Sequence, residues 1–212
     1  NLPQPPGADP DEKSICGASA EWVEIEDGTA QQMEWGESVG NLRWDSGIGG
    51  GVDGARWCSG TLISPNLYLT AGHCIDDTDL PFGALPAGVS TPQDFCDNMH
   101  VQFNFQEDGG VLPDAADMPT FDCTDVIAFE NASGRDHAIL RLEGNPGEIF
   151  GYRELDMRAP VDGETVTVIQ HPAGVPKKVH TGTVANITST TLGHNADTVG
   201  GSSGSPILDS QG

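Results

Sequence analysis

Three short segments hold side chains whose types fit acyl transfer. Cys58-Ser59-Gly60-Thr61-Leu62-Ile63-Ser64-Pro65-Asn66-Leu67-Tyr68-Leu69-Thr70-Ala71-Gly72-His73-Cys74 ends on an imidazole beside a cysteine. Arg135-Asp136-His137-Ala138-Ile139-Leu140-Arg141-Leu142 sets a carboxylate at the mouth of an apolar strand, and Gly200-Gly201-Ser202-Ser203-Gly204-Ser205-Pro206 sets a hydroxyl in a run of small residues. A hydroxyl is a weak nucleophile until a base takes its proton, and an imidazole is a better base when a carboxylate fixes its tautomer. Ser203, His73 and Asp136 can fill these three roles. Small residues around Ser203 permit a sharp turn and close approach of a substrate, and they free the amides of Gly201 and Ser203 to face a developing oxyanion.

Each group also has a plainer reading. A histidine after a strand is ordinarily a surface residue, and a Gly-Ser run is ordinarily a flexible turn. Asp125 and Glu130 compete with Asp136, but only Asp136 directly precedes an apolar strand. Asp76-Asp77-Thr78-Asp79 has the hard oxygens that calcium prefers, yet reads better as a solvated loop in so acidic a chain. His171, His180 and His194 read as strand or loop residues. Asn131-Ala132-Ser133 and Asn186-Ile187-Thr188 fit the glycosylation pattern.

The elements that must hold these groups are short. Apolar runs at Val39 to Trp44, Trp57 to Ile63, Leu67 to Ala71, Gln102 to Phe105, Val126 to Phe129, His137 to Leu142, Val161 to Gln170, Lys178 to Thr188 and Pro206 to Leu208 are separated by turn residues such as Gly47-Ile48-Gly49-Gly50-Gly51. No convincing helix and no repeat is expected; the pattern predicts an antiparallel sandwich or barrel. Asn1 to Glu12, with four prolines, reads as an extended or disordered arm.

Composition bounds the partners. The 212 residues carry 9 Lys+Arg against 32 Asp+Glu, a net charge of −23, and the only adjacent basic pair is Lys177-Lys178, so nucleic acid and anionic membranes are disfavoured. No stretch approaches the length of a membrane span, and the start at Asn1 reads as a mature or trimmed soluble chain. The five cysteines, Cys16, Cys58, Cys74, Cys96 and Cys123, show no CxxC pair, so disulfides and an oxidising compartment are expected: secreted or extracellular, or periplasmic. A bridge between Cys58 and Cys74, sixteen residues apart, would hold His73 in place.

With Thr70-Ala71-Gly72-His73-Cys74, the Asp136 strand and the Gly-Ser-Ser-Gly-Ser-Pro of residues 201–206 in the order His, Asp, Ser, the chain resembles the trypsin-like serine endopeptidases of the chymotrypsin fold. Ser205 in place of a glycine is most similar to the bacterial glutamyl and lysyl endopeptidases, and Gln170-His171-Pro172 resembles a segment of the lysyl enzymes. The match covers roughly residues 38 to 208. It implies an all-β chain of two antiparallel six-stranded barrels with the active site between them, the second barrel incomplete here. Residues 1–37 would be an N-terminal arm, 38–145 the first barrel carrying His73 and Asp136, and 146–212 the partial second barrel carrying Ser203. It further implies Ser203 as nucleophile, His73 as base, Asp136 as orienting acid, Gly201 and Ser203 as oxyanion donors, and no metal or cofactor.

The same resemblance sets further expectations. Cys58 pairs with Cys74 and Cys96 with Cys123, which leaves Cys16; since an N-terminal cysteine of the lysyl enzymes bridges to their C-terminal part, a second chain joined through Cys16 is expected. Asp197, six residues before Ser203, falls where trypsins place the pocket carboxylate and implies cleavage after Lys or Arg. Thr198 falls where glutamyl enzymes place a pocket hydroxyl. Ser202 stands where trypsins carry the Asp that pairs with a newly cut N-terminus, so activation through that ion pair is excluded. The competing reading is a non-catalytic homologue acting as a binding or regulatory module.

Overall fold

The computed structural model describes residues 15–44, 54–76, 88–132 and 134–212. The sequence-predicted arm at residues 1–12, the glycine run 47–51, most of the acidic loop 76–79 and Ser133 of one glycosylation pattern lie outside them. A closed antiparallel barrel is built from β2 (Val39–Trp44), β3 (Arg56–Leu62), β4 (Leu67–Thr70), β5 (Met99–Gln102), β6 (Thr120–Ala132) and β7 (Arg135–Leu142), in the order β2-β3-β4-β7-β6-β5. Closure comes from β2 meeting β5, with Trp44 opposite Met99. The second half is an open sheet, β1-β9-β8-β11 with β10 beside β9, from β1 (Val23–Glu24), β8 (Thr165–Gln170), β9 (Lys178–Ala185), β10 (Gly193–His194) and β11 (Ile207–Leu208). The expected pair of barrels, one of them incomplete, is the observed architecture.

The barrel is filled by large side chains from alternating strand positions, among them Leu42, Trp44, Trp57, Leu62, Tyr68, Val101 and Leu140. Phe103 stacks on Phe150 of α3 (Gly147–Phe150) with centroids 4.7 Å apart, so the first turn after the barrel plugs one of its ends. Cys96, at the end of α2 (Pro92–Cys96), is bridged to Cys123 on β6, and Cys58 on β3 to Cys74. The Cys58–Cys74 loop of sixteen residues corresponds to about 3 kcal/mol of restricted unfolded-state entropy.

One expectation is corrected. A helix exists: α1 (Ala30–Glu37) carries a complete capping box, in which the Thr29 hydroxyl accepts from Gln32 N–H and the Gln32 side chain accepts from Thr29 N–H. It was obscured because Gly36 and Trp35 are buried instead of forming a regular apolar stripe. Where it is described, the N-terminal segment packs along the second sheet. β1 pairs with β9, and Ile25 and Trp35 form one core with Val39, Ile169, Val179 and Leu208.

The halves meet over buried polar groups. Lys177 is fully buried, its Nζ donating to Gly36 O at 2.6 Å and Gln106 Oε1 at 2.9 Å, and burial lowers its pKa to about 7, against the pull of Glu37. His171 is buried beside Phe105, whose ring also carries the Arg56 guanidinium 3.8 Å from its centroid. Its Nδ1–H donates to Val175 O, and desolvation, with the Lys177 charge, pushes its pKa down to about 3. Between pH 6.5 and 3 the unfolded chain takes up a proton on this imidazole that the native chain refuses, so stability falls as pH falls through that window. The expected result is a melting temperature that drops from pH 6.5 to 5, above ordinary carboxylate titration, and a smaller drop in His171→Phe; equal slopes by calorimetry would contradict it.

Candidate active site

His73 follows β4 on a single 3-10 turn, Gly72–Ile75, held on one side by the Cys58–Cys74 bridge and on the other by Trp57 Nε1–H donating to Cys74 O at 2.8 Å. Gly72 lets this turn lie against the β6–β7 hairpin, because a Cβ there would collide with Glu130 O. Pairing of β4 with β7 sets Thr70 opposite Ala138, and pairing of β6 with β7 sets Asn131 opposite Asp136, so Asp136 arrives beside His73 from sixty-three residues away. Ser203 comes from the other half, in the turn between β10 and β11.

The three side chains form a continuous line. Asp136 Oδ2 accepts from His73 Nδ1–H at 2.7 Å, Asp136 Oδ1 accepts from His73 N–H at 2.8 Å, and His73 Nε2 lies 2.6 Å from Ser203 Oγ. Partial burial pushes the Asp136 carboxyl up. The hydrogen bonds from the His73 ring and amide, the His73 charge and the Gly72 amide outweigh it, and the net pKa lies below the usual value. An ionised Asp136 keeps the proton on Nδ1 and leaves the Nε2 lone pair facing the Ser203 hydroxyl. Ser203 is buried, His73 half-buried, and Asp136 open to solvent on one side.

Beside Ser203, Gly201 has φ of +93°, and a Cβ on it would sit 2.6 Å from His171 O and 2.9 Å from Ala173 N and Gly174 N. Among the described residues neither Gly201 N–H nor Ser203 N–H meets an acceptor. Ser202, where trypsins were expected to carry a carboxylate, ties a local turn: its N–H donates to Val199 O and its Oγ accepts from Val199 N–H.

Asp197, expected in the pocket, is engaged within the chain. Its side chain is fully buried, and its two oxygens accept from Cys16 N–H at 2.6 Å and Glu21 N–H at 2.7 Å. Its own N–H donates to His180 Nδ1 and its C=O accepts from Gln170 Nε2–H. The carboxylate therefore staples the N-terminal segment to the loop leading to Ser203 instead of waiting for a substrate cation. Thr198 beside it is half-buried. His180 is more than an ordinary strand residue, a role hidden by its separation of seventeen positions from Asp197. Both expected disulfides are present, while Cys16 is exposed and carries none, so a second chain bridged through it gains no support.

Among the described residues, two groups of metal-ligand types converge within 4.8 Å. In Cys58, His73 and Cys74 the sulfurs are spent on a disulfide. In Glu21, His180 and Asp197, the Nδ1 lone pair already accepts Asp197 N–H, so the ring proton sits on Nε2 and no imidazole lone pair is left for a metal. For the same reason the 3.7 Å approach of Nδ1 to Asp197 Oδ2 is not an ion pair.

The sequence profile of the trypsin-like peptidase domain family matches residues 58–212. The chain is 30% identical over 173 residues to "Secreted RxLR effector protein 73" of Plasmopara viticola, covering 73% of this chain and only 39% of that protein's length. Among solved structures, a Glu endopeptidase bound to MPD superposes with a TM-score of 0.63 at 20% identity, covering 93% of this chain and 83% of the other. The protease Anisep from Arthrobacter nicotinovorans gives 0.50 at 18%, covering 82% and 77%. A serine endoprotease from Yersinia pestis gives 0.56 at 16%, covering 84% and 51%.

Replacing the staple carboxylate, Asp197→Asn, turns one of its two acceptors into a donor facing an N–H group, at a cost of about 1–3 kcal/mol. Deuterium uptake across residues 16–24 is expected to quicken while β4 and β7 keep their protection; unchanged uptake would show that the staple does not hold this segment.

Proposed function

The chain belongs to the trypsin-like peptidase domain family, and from that premise we propose that it is a secreted serine endopeptidase acting through Ser203, His73 and Asp136. The observation that carries the reading is the line Ser203 Oγ to His73 Nε2 at 2.6 Å and His73 Nδ1 to Asp136 Oδ2 at 2.7 Å. Residues 38–145 supply the base and its acid, and residues 146–212 the nucleophile. His73 takes the Ser203 proton as Oγ attacks the scissile carbonyl, and Asp136 stabilises the imidazolium that results. Negative charge develops on the former carbonyl oxygen, toward which Gly201 N–H and Ser203 N–H are available. Collapse breaks the C–N bond, His73 hands its proton to the leaving amine, and a water activated by the same imidazole releases the acyl group. Every role falls to a side chain or backbone amide of this chain.

Secretion is supported by the two disulfides, which persist in oxidising compartments, and by a relative whose name describes it as secreted. The role named for that relative is not carried over. Cleavage after Lys or Arg is not part of the proposal, because the Asp197 carboxylate is occupied by two backbone amides.

A fluorophosphonate is expected to label Ser203, with labelling and peptide hydrolysis lost by about a thousandfold or more in His73→Ala. Absence of labelling in the wild type would favour the non-catalytic binding module. A panel of peptides varied at the residue before the scissile bond is expected to give the same ranking for wild type and Asp197→Asn. A ranking led by Lys and Arg and lost in the variant would return Asp197 to the pocket.

A further inference from the structure

We propose that Ser59 is a positioning residue for the oxyanion site, its backbone and hydroxyl together gripping the carbonyls of the nucleophile turn so that the intervening amides face the substrate. This rests on the endopeptidase reading. Ser59 lies on β3, fully buried, next to the Cys58–Cys74 bridge and in the half of the molecule that does not contain Ser203. Its N–H donates to Ser203 O at 2.8 Å and its Oγ–H donates to Gly201 O at 2.8 Å. The same Oγ accepts from His171 N–H at 2.8 Å, and Ser59 O accepts from the Thr70 hydroxyl at 2.7 Å. Every polar atom of this one residue is thus engaged, and three of its four bonds cross between the halves.

The consequence follows from peptide geometry. In a trans peptide the C=O and the following N–H point in opposite directions, so fixing a carbonyl aims the next amide. From Val199 to Ser203 each of the five carbonyls has a partner: Ser202 N–H on Val199 O, Ala173 N–H on Gly200 O, Ser59 Oγ–H on Gly201 O, Ser205 N–H on Ser202 O and Ser59 N–H on Ser203 O. The peptides that carry Gly201 N–H and Ser203 N–H alternate with the two that Ser59 holds. Neither donor peptide can rotate without a compensating turn in a peptide anchored to β3. The Gly200 peptide has its own anchor in Ala173, whose φ of +53° is unusual for a residue with a side chain, and the Ser59–His171 bond supports the turn that imposes it. A main-chain N–H at position 59 would be present with any residue except proline. The hydroxyl is what joins Gly201 O to His171 N–H, and among small side chains only one that keeps a hydroxyl both donates and accepts there at full strength.

The test compares wild type, Ser59→Ala and Ser59→Thr on two readouts. One is active-site-titrated turnover of a peptide ester; the other is deuterium uptake of the 199–205 segment in the protein without substrate. In Ser59→Ala, kcat is expected to fall about tenfold to a hundredfold with KM within about threefold, and uptake of the segment to rise while β4, β6 and β7 are unchanged. Ser59→Thr, which keeps the hydroxyl, is expected to recover most of the lost kcat. A residue that only stabilises the fold would lower the melting temperature and leave titrated kcat alone. Should Ser59→Ala not fold, Ser59→Cys, of similar size but a weak donor, takes its place with the same expectations. A kcat within about twofold of wild type, or unchanged uptake, overturns the proposal. If the wild type itself has no turnover, the endopeptidase reading falls, and uptake alone decides whether Ser59 holds the turn.

Discussion

The structure depends on holding two halves in register at one hydrogen bond, the 2.6 Å contact between Ser203 Oγ and His73 Nε2, whose residues lie 130 apart in sequence. His73 and Asp136 belong to a closed barrel, whose strands have no free edge and little freedom to shift. Ser203 belongs to an open sheet, which has such freedom. Hydrophobic contact between the halves is non-directional and would tolerate sliding by an ångström. Directional buried bonds do not, because a slip leaves donors and acceptors unpaired away from water. Ser59 with the nucleophile turn, and Lys177 between Gly36 O and Gln106 Oε1, supply those bonds.

The N-terminal segment extends this constraint. β1 adds to β9, Lys178 pairs with Glu24, Lys177 reaches the end of α1, and the Asp197 carboxylate holds two amides from residues 16 and 21. Asp197 is also bonded through its main chain to β8 and β9. One residue therefore couples the first described stretch of chain, two strands of the second sheet and the approach to the nucleophile. A buried carboxylate is tolerated there because each of its oxygens accepts a hydrogen bond.

What could be read from the sequence separates along a physical line. The His73, Asp136 and Ser203 motifs were legible because each is local, a few residues whose neighbours fix the backbone, and the barrel strands because alternation is a local pattern too. Asp197 was misassigned because its partners lie 181 and 176 residues away and are main-chain atoms, on which side-chain type leaves no mark. Ser59 stood inside the most conspicuous motif and went unread for the same reason. The helix Ala30–Glu37 did carry a signal, the Thr29–Gln32 capping box, but its buried face is a tryptophan and a glycine, so periodicity said nothing.

The acidic composition acquires a structural account that needs no basic partner. A chain with 28 Gly, 15 Pro and short strands leaves many loop N–H groups outside any ladder, open to water or to side-chain acceptors. Carboxylates accept from them repeatedly: Asp94 accepts from Ser90 and Thr91, Glu26 from Gly109 and Gly110, Asp209 from Gln211 and Gly212, Glu164 from Val161, and Asp156 from Arg158. Such bonds are stronger than those between neutral groups. They hold three of these carboxyls below their ordinary pKa, led by the Thr91 hydroxyl for Asp94 and by Arg158 for Glu164 and Asp209. Asp197 and Asp136 belong to the same set, the buried one accepting Cys16 and Glu21 N–H and the other His73 N–H. Loop order and the orientation of His73 thus share one chemical device, a carboxylate closed over main-chain amides.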